Sequence, residues 1–183
     1  MENINIDDLV SSLALLLRND QEAFEKLAQE NVKDLKIGDL SYLKNKLHEP
    51  PELHEELKNV KMVLGEWLAM CQYAVFELLY NCYEYSLPII KEIAYGPYNW
   101  TQATALEVLC RLNVEGKISD SILDEIKEKL DSMRYETHLY FSRALLLRAE
   151  VDKKYDDILR KFDNQSFREA LVEIHEELLE NNI

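Results

Sequence analysis

Between Pro88 and Leu146 the chain reads as helix, glycine stop, helix, glycine stop, helix, with apolar residues at helical spacing and no strand alternation. The segments are PIIKEIAYG, YNWTQATALEVLCRLNVEG, SDSILDEIKEKLDS and RYETHLYFSRALLLRAEV. Each carries more apolar positions than a lone amphipathic helix needs, so each must cover its neighbours. Antiparallel helices on short turns, stacked as an array, satisfy that demand. Helix starts near Trp100, Arg134 and Gln165 are 34 and 31 residues apart, of the order of the helix-pair spacing in helical solenoids, roughly 34 to 47 residues per unit. A plain helical bundle is the competing arrangement.

The rest of the chain extends the all-α reading. With 4 Gly and 4 Pro in 183 residues, little material remains for the turns of a sandwich or barrel. A length of 183 residues favours one domain, with N-terminal helices over 1–50 and the helical array over 51–183. Asp7 or Asp8 is expected to cap a first helix running to about Arg18, and Asp20 a second held by Phe24 and Leu27. Gly38 is read as a break before a short helix from Asp39 to Leu47, which Pro50-Pro51 stops. Leu53, Leu57, Val60 and Leu64 follow at i, i+4, i+7, i+11. They predict a helix flowing into the Trp67–Tyr83 run, either as one kinked helix or as two that break near Gly65. Ser86 with Pro88 reads as a helix start, Gly96-Pro97 as a stop, Asn99 or Thr101 as a start and Gly116 as a stop. Ser119 or Asp120 opens the next helix, and amphipathic pieces close the chain over about 152–162 and 164–180.

Charge narrows the partners. The formal net charge is −14, and each successive stretch of about fifty residues is acidic, so the excess belongs to the whole surface. Such a surface repels nucleic-acid phosphates and anionic lipid, and attracts basic proteins. Lys and Arg are absent between Lys61 and Lys91, but Glu66, Glu77 and Glu84 interrupt that interval. Its longest charge-free piece, Trp67 to Phe76, is far short of the ~20 residues that a membrane span needs. The opening MENINIDDLV has no basic stretch before its apolar run, so no signal peptide is expected. Cys71, Cys82 and Cys110 lie in apolar runs without a CxxC, which fits core packing in a reducing, cytoplasmic setting.

The segment LPIIKEIAYGPYNWTQATALEVLCRLNVEGKI, Leu87 to Ile118, resembles HEAT-like (armadillo-type) repeats. More narrowly, it is similar to those of small acidic helical bacterial proteins, some of which are immunity proteins encoded beside secreted toxins. The LPxIxxIA helix, Trp100, and Ala103, Ala105, Leu106, Leu109 and Leu112 ahead of Gly116 carry the likeness. It implies a short solenoid of stacked helix pairs that binds a partner, with no catalytic residues, cofactor or metal.

Candidate binding residues come from side-chain chemistry. Glu66, Tyr73, Glu77, Tyr80 and Glu84 fall within roughly 40° of one line at 100° per residue. Carboxylates bind Arg and Lys, while phenols add flat apolar area with a polar tip, so the line suits a basic protein surface. It is also what the solvent face of a packed helix looks like; the absence of Lys from it favours function. Trp100 serves either as an interface anchor or as a hydrophobic staple. Glu107, with Thr104 and Arg111, and Tyr140, with Glu136 and Arg143, extend the same surface or form ordinary surface pairs.

Histidine supplies little: His48 and His54 are split by the proline pair, no HExxH occurs, and His138 and His175 fall near helix surfaces. No GxGxxG or P-loop is present. The expected partner is a basic protein, with a secreted nuclease toxin domain as the case the resemblance implies; nucleic acid and membrane are not expected. The alternatives are a structural or assembly module without a toxin partner, and an enzyme of the helical-repeat glycosylase type, which would need a basic channel that no local run supplies.

Overall fold

A computed structural model describes residues 5–180 apart from 59, 64, 98 and 99. Among the described residues there are ten α-helices and no strand. The helices are α1 (Ile6–Asn19), α2 (Gln21–Asn31), α3 (Ile37–Lys46), α4 (Glu66–Asn81), α5 (Tyr83–Tyr95), α6 (Thr101–Val114), α7 (Ser121–Leu130), α8 (Tyr135–Val151), α9 (Tyr155–Lys161) and α10 (Gln165–Glu180). None is long and apolar enough to cross a membrane. The chain groups into two compact units, residues 1–89 and 90–183, dividing within α5.

In the first unit, α4 packs against α1, α2 and α3. Local chemistry sets the ends. Asn5, not Asp7 or Asp8, caps α1, its Oδ1 accepting from the Asp7 amide at 3.1 Å. The two aspartates instead occupy the first turn, where negative charge faces the positive helix end. Asp20 caps α2 as expected, accepting from the Ala23 amide at 3.0 Å. Phe24 and Ala28 fill the buried side of α2, and Leu27 is only partly covered. Gly38 does not break the chain: α3 begins before it, because the Asp39 carboxylate accepts from the Lys36 amide at 2.8 Å and satisfies one orphan donor.

The stripe from Leu53 does not form an α-helix. Among the described residues of that stretch only a 3₁₀ turn, Glu55–Leu57, is present; Leu64 lies outside them. Leu57 is buried while Leu53 and Val60 are exposed, so the stripe gains too little burial to hold a short helix. Gly65 is the break, with φ +83°, a left-handed conformation that glycine adopts without penalty. The Trp67 indole N–H donates to the Pro51 carbonyl at 2.8 Å, and Gln72 Nε2 to the Leu47 carbonyl at 2.8 Å, tying the irregular segment to α4. Lys46, nearly buried, pairs with Asp7 at 2.8 Å.

The helix predicted to start at Ser86 starts earlier. After Cys82 the chain turns directly into α5, and Ser86 Oγ donates to the Leu79 carbonyl across that turn. Pro88 therefore lies inside α5, where its ring nitrogen leaves the Glu84 carbonyl without an amide donor.

In the second unit α8 packs against α6, α9 and α10, and α7 packs against α6 and α9. Helices α6, α8 and α10 open where the sequence placed them; Asn99 lies outside the described residues. α6 ends at Gly116 (φ +70°), where the Gly116 and Lys117 amides donate to the Asn113 and Leu112 carbonyls at 2.8 and 2.9 Å. Phe141, Phe162 and Phe167 are fully buried with ring centroids 5.6–5.7 Å apart. Each such ring contributes about 2–3 kcal/mol through removal from water. Beside them Thr137 Oγ1 donates to Gln102 Oε1 at 2.9 Å, and Gln102 Nε2 to the Gly96 carbonyl at 3.2 Å. This buried polar pair joins α6 to α8.

Candidate partner-binding surface

In the first unit, the line on α4 is open to solvent in part. α1, α2 and α3 cover most of α4, and what they leave open runs along Glu66, Tyr73 and Glu77. Tyr73 is exposed, with Glu66 and Glu77 partly exposed on either side of it. Tyr80 does not belong to this surface: it is 4 % exposed, because the last turns of α4 are enclosed and Phe76, Leu78 and Leu79 are buried with it. Glu84 is exposed but stands on α5, beyond the turn at Cys82, so the 100°-per-residue line does not run through to it.

The carboxylates are also partly engaged. Glu66 Oε2 accepts from the Val63 amide at 3.0 Å, and its other oxygen lies 3.7 Å from Arg18. Glu77 accepts from Asn81 Nδ2 at 3.0 Å. The cation that the α4 sequence lacks is thus supplied by α1, through Arg18.

In the second unit the expected residues separate. Trp100 is half exposed at the N-cap position of α6; its neighbours Tyr98 and Asn99 lie outside the described residues. Glu107 is not a surface residue. It is 8 % exposed and receives the Arg148 guanidinium of α8 at 2.7 Å, a charged contact that spans the α6–α8 packing. Arg111, one turn further along α6, lies 3.4 Å from Glu115. Tyr140 does face outward, at 52 % exposure, with Glu136 exposed one turn earlier. Arg143 turns aside to Glu177 of α10 at 2.5 Å.

Two side chains on this face were missed: Leu147 and Val151, 39 % and 90 % exposed. The signal was present, since Tyr140, Ala144, Leu147 and Val151 repeat at i, i+4, i+7, i+11 as a second apolar line on a helix already burying another. His138 is also corrected. It is buried, its Nε2 lies 2.9 Å from the Leu130 carbonyl, and its ring meets Tyr135 and Phe167 edge-on. Tyr135 reaches outward instead, donating from its hydroxyl to Glu173 at 2.8 Å, and that hydrogen bond raises its pKa.

The three cysteines are free and buried, and burial pushes the Cys71 thiol up to about 12, leaving it protonated and inert. Among the described residues no group of three or more His, Cys, Asp and Glu side chains is placed to hold a metal ion. The exposed groups described above are aromatic area at Tyr73 and Tyr140, aliphatic area at Leu147 and Val151, and carboxylates such as Glu136. No protein-family model, no curated protein and no solved structure matches this chain.

Proposed function

We propose that this protein is a non-catalytic helical scaffold that captures a basic protein partner, acting as an immunity protein that occludes the nucleic-acid-binding face of a nuclease-type toxin. The exposed phenol of Tyr73 between Glu66 and Glu77, on a chain of net charge −14, carries the reading. A phenol flanked by carboxylates offers an anchor and two acceptors for Arg or Lys, while the distributed negative charge accelerates encounter with a cationic surface. On this reading the carboxylates stand in for the phosphates that such an enzyme recognises.

The finer architecture follows the same proposal. α6 with α7, α8 with α9, and then α10 are taken as successive layers of a short HEAT-like array. The packing of α8 against both α6 and α10, and the helix starts at Thr101, Tyr135 and Gln165, support that view. Titration calorimetry of the full chain against the protein encoded by the adjacent gene tests the function. The combined Tyr73→Ala and Glu77→Lys substitutions should weaken binding more than tenfold with the fold intact; undiminished affinity would remove this surface from the account.

A further inference from the structure

α8 carries two apolar faces, and only one is used by the fold. The inward face buries Phe141, Leu145 and Ala149. The outward one is Tyr140, Ala144, Leu147 and Val151, of which three are exposed large side chains. Their 4-3-4 spacing is that of the seam of a two-helix coiled coil, in which such positions alternate as a and d of a heptad. In that register Glu136, Arg143 and Glu150 fall at g, the flanking position whose charge selects the opposing helix. Arg143 is taken by Glu177 of the same chain at 2.5 Å, and Arg148, on the other flank, by Glu107 at 2.7 Å. Among the described residues Glu136 and Glu150 have no ion-pair partner, and both are exposed. They lie two heptads apart, about 21 Å along the axis at a 1.5 Å rise per residue.

We infer that the outward seam of α8 docks an amphipathic helix of a basic partner, one with an apolar 4-3-4 seam and Lys or Arg placed two heptads apart to meet Glu136 and Glu150. The inference rests on the proposed capture of a basic protein, and adds the form in which the partner is held. Charge chooses this occupant over a second copy. An antiparallel self-pairing, in which g faces g, would set Glu136 against Glu150, and either self-pairing would bring together two chains of net charge −14 each. It also answers why the fold tolerates Val151 almost fully in water.

Fluorescence anisotropy with three labelled 21-residue synthetic helices tests the inference on the full chain. One has a leucine seam flanked by lysines, one the same seam flanked by glutamates, and one the lysine-flanked composition with its leucines dispersed. The lysine-flanked seam should bind in the micromolar range, and the other two at least tenfold more weakly. Leu147→Asp with Val151→Asp should weaken it more than tenfold, and Glu136→Lys with Glu150→Lys should reverse the preference towards the glutamate-flanked helix. Equal binding of the dispersed peptide, or no reversal in the charge-swapped variant, overturns the inference.

The Tyr73→Ala, Glu77→Lys protein separates the two readings. It should bind the lysine-flanked peptide within twofold of the parent; loss of the peptide there would place it on α4, overturning the α8 seam while leaving the acidic capture surface standing. Sedimentation of the parent at the same concentrations should give a monomer. A dimer abolished by Leu147→Asp would assign the seam to self-association instead.

Discussion

α4 and α8 each pack against three other helices of their own unit, yet they treat polarity in opposite ways. α4 is apolar nearly all round and leaves its polar groups, Glu66 and Glu77, on the strip its neighbours do not cover. α8 buries Thr137, His138 and Ser142 and turns Tyr140, Leu147 and Val151 outward. The first pattern is what burial alone produces, since the open line of a packed helix must be polar somewhere. The second runs against burial, because exposed aliphatic groups gain nothing from folding. An outward apolar line therefore says more about an external contact than a polar one does.

The contrast is open to test at several strengths. The largest effect belongs to the inward side of α8: Phe141→Ala should cost about 4 kcal/mol in urea unfolding, by opening a cavity between Phe162 and Phe167. A loss below 1 kcal/mol would mean that the aromatic cluster is not the core of its unit. Next comes the buried polar pair. Thr137→Val leaves Gln102 Oε1 without its donor and should cost about 2 kcal/mol.

A smaller effect sits in the first unit. The Asp7 carboxylate beside Lys46 raises its pKa against the opposing effect of burial, with Tyr42 adding to it. A folded-state pKa above the unfolded value means that this stabilisation is complete below about pH 10.5 and disappears as pH rises through the folded value. Lys46→Met should lower stability by about 1 kcal/mol at pH 7, because Asp7 remains partly solvated, and should flatten the alkaline limb of the stability profile. An unchanged alkaline limb would assign that limb to other groups. Smallest of all are the outward positions. Tyr73→Ala and Val151→Asp should each alter stability by less than about 0.5 kcal/mol, since both lie mostly in solvent. A large loss at either would make its face structural.

Much of the helix layout was legible because its signals are local. Asp20 caps α2, Gly116 ends α6, and α6, α8 and α10 open within a residue of their predicted starts. What failed depended on distant partners. The stripe from Leu53 has helical spacing, but spacing cannot tell whether Leu53 and Val60 will find cover, and they do not. Proline at 88 looked like a start, yet Ser86 bonding back to Leu79 lets α5 begin at Tyr83. The candidate surface was less legible still. Glu107 and Tyr80 have the chemistry of interface residues, and only tertiary packing reveals that Arg148 claims the one and the enclosed end of α4 the other. Contacts group the chain on either side of Ile89 and Ile90, within α5, where no local turn signal marks a boundary.

The salt dependence of binding bears on the whole account. Affinity of the full chain for the protein encoded by the adjacent gene should be measured between about 50 and 500 mM salt, across which the screening length falls from roughly 14 to 4 Å. Capture of a basic partner by this acidic surface requires tight binding at low salt that weakens more than tenfold over the range, mostly through slower association. Binding that holds constant across the range, or no binding at low salt, would contradict it.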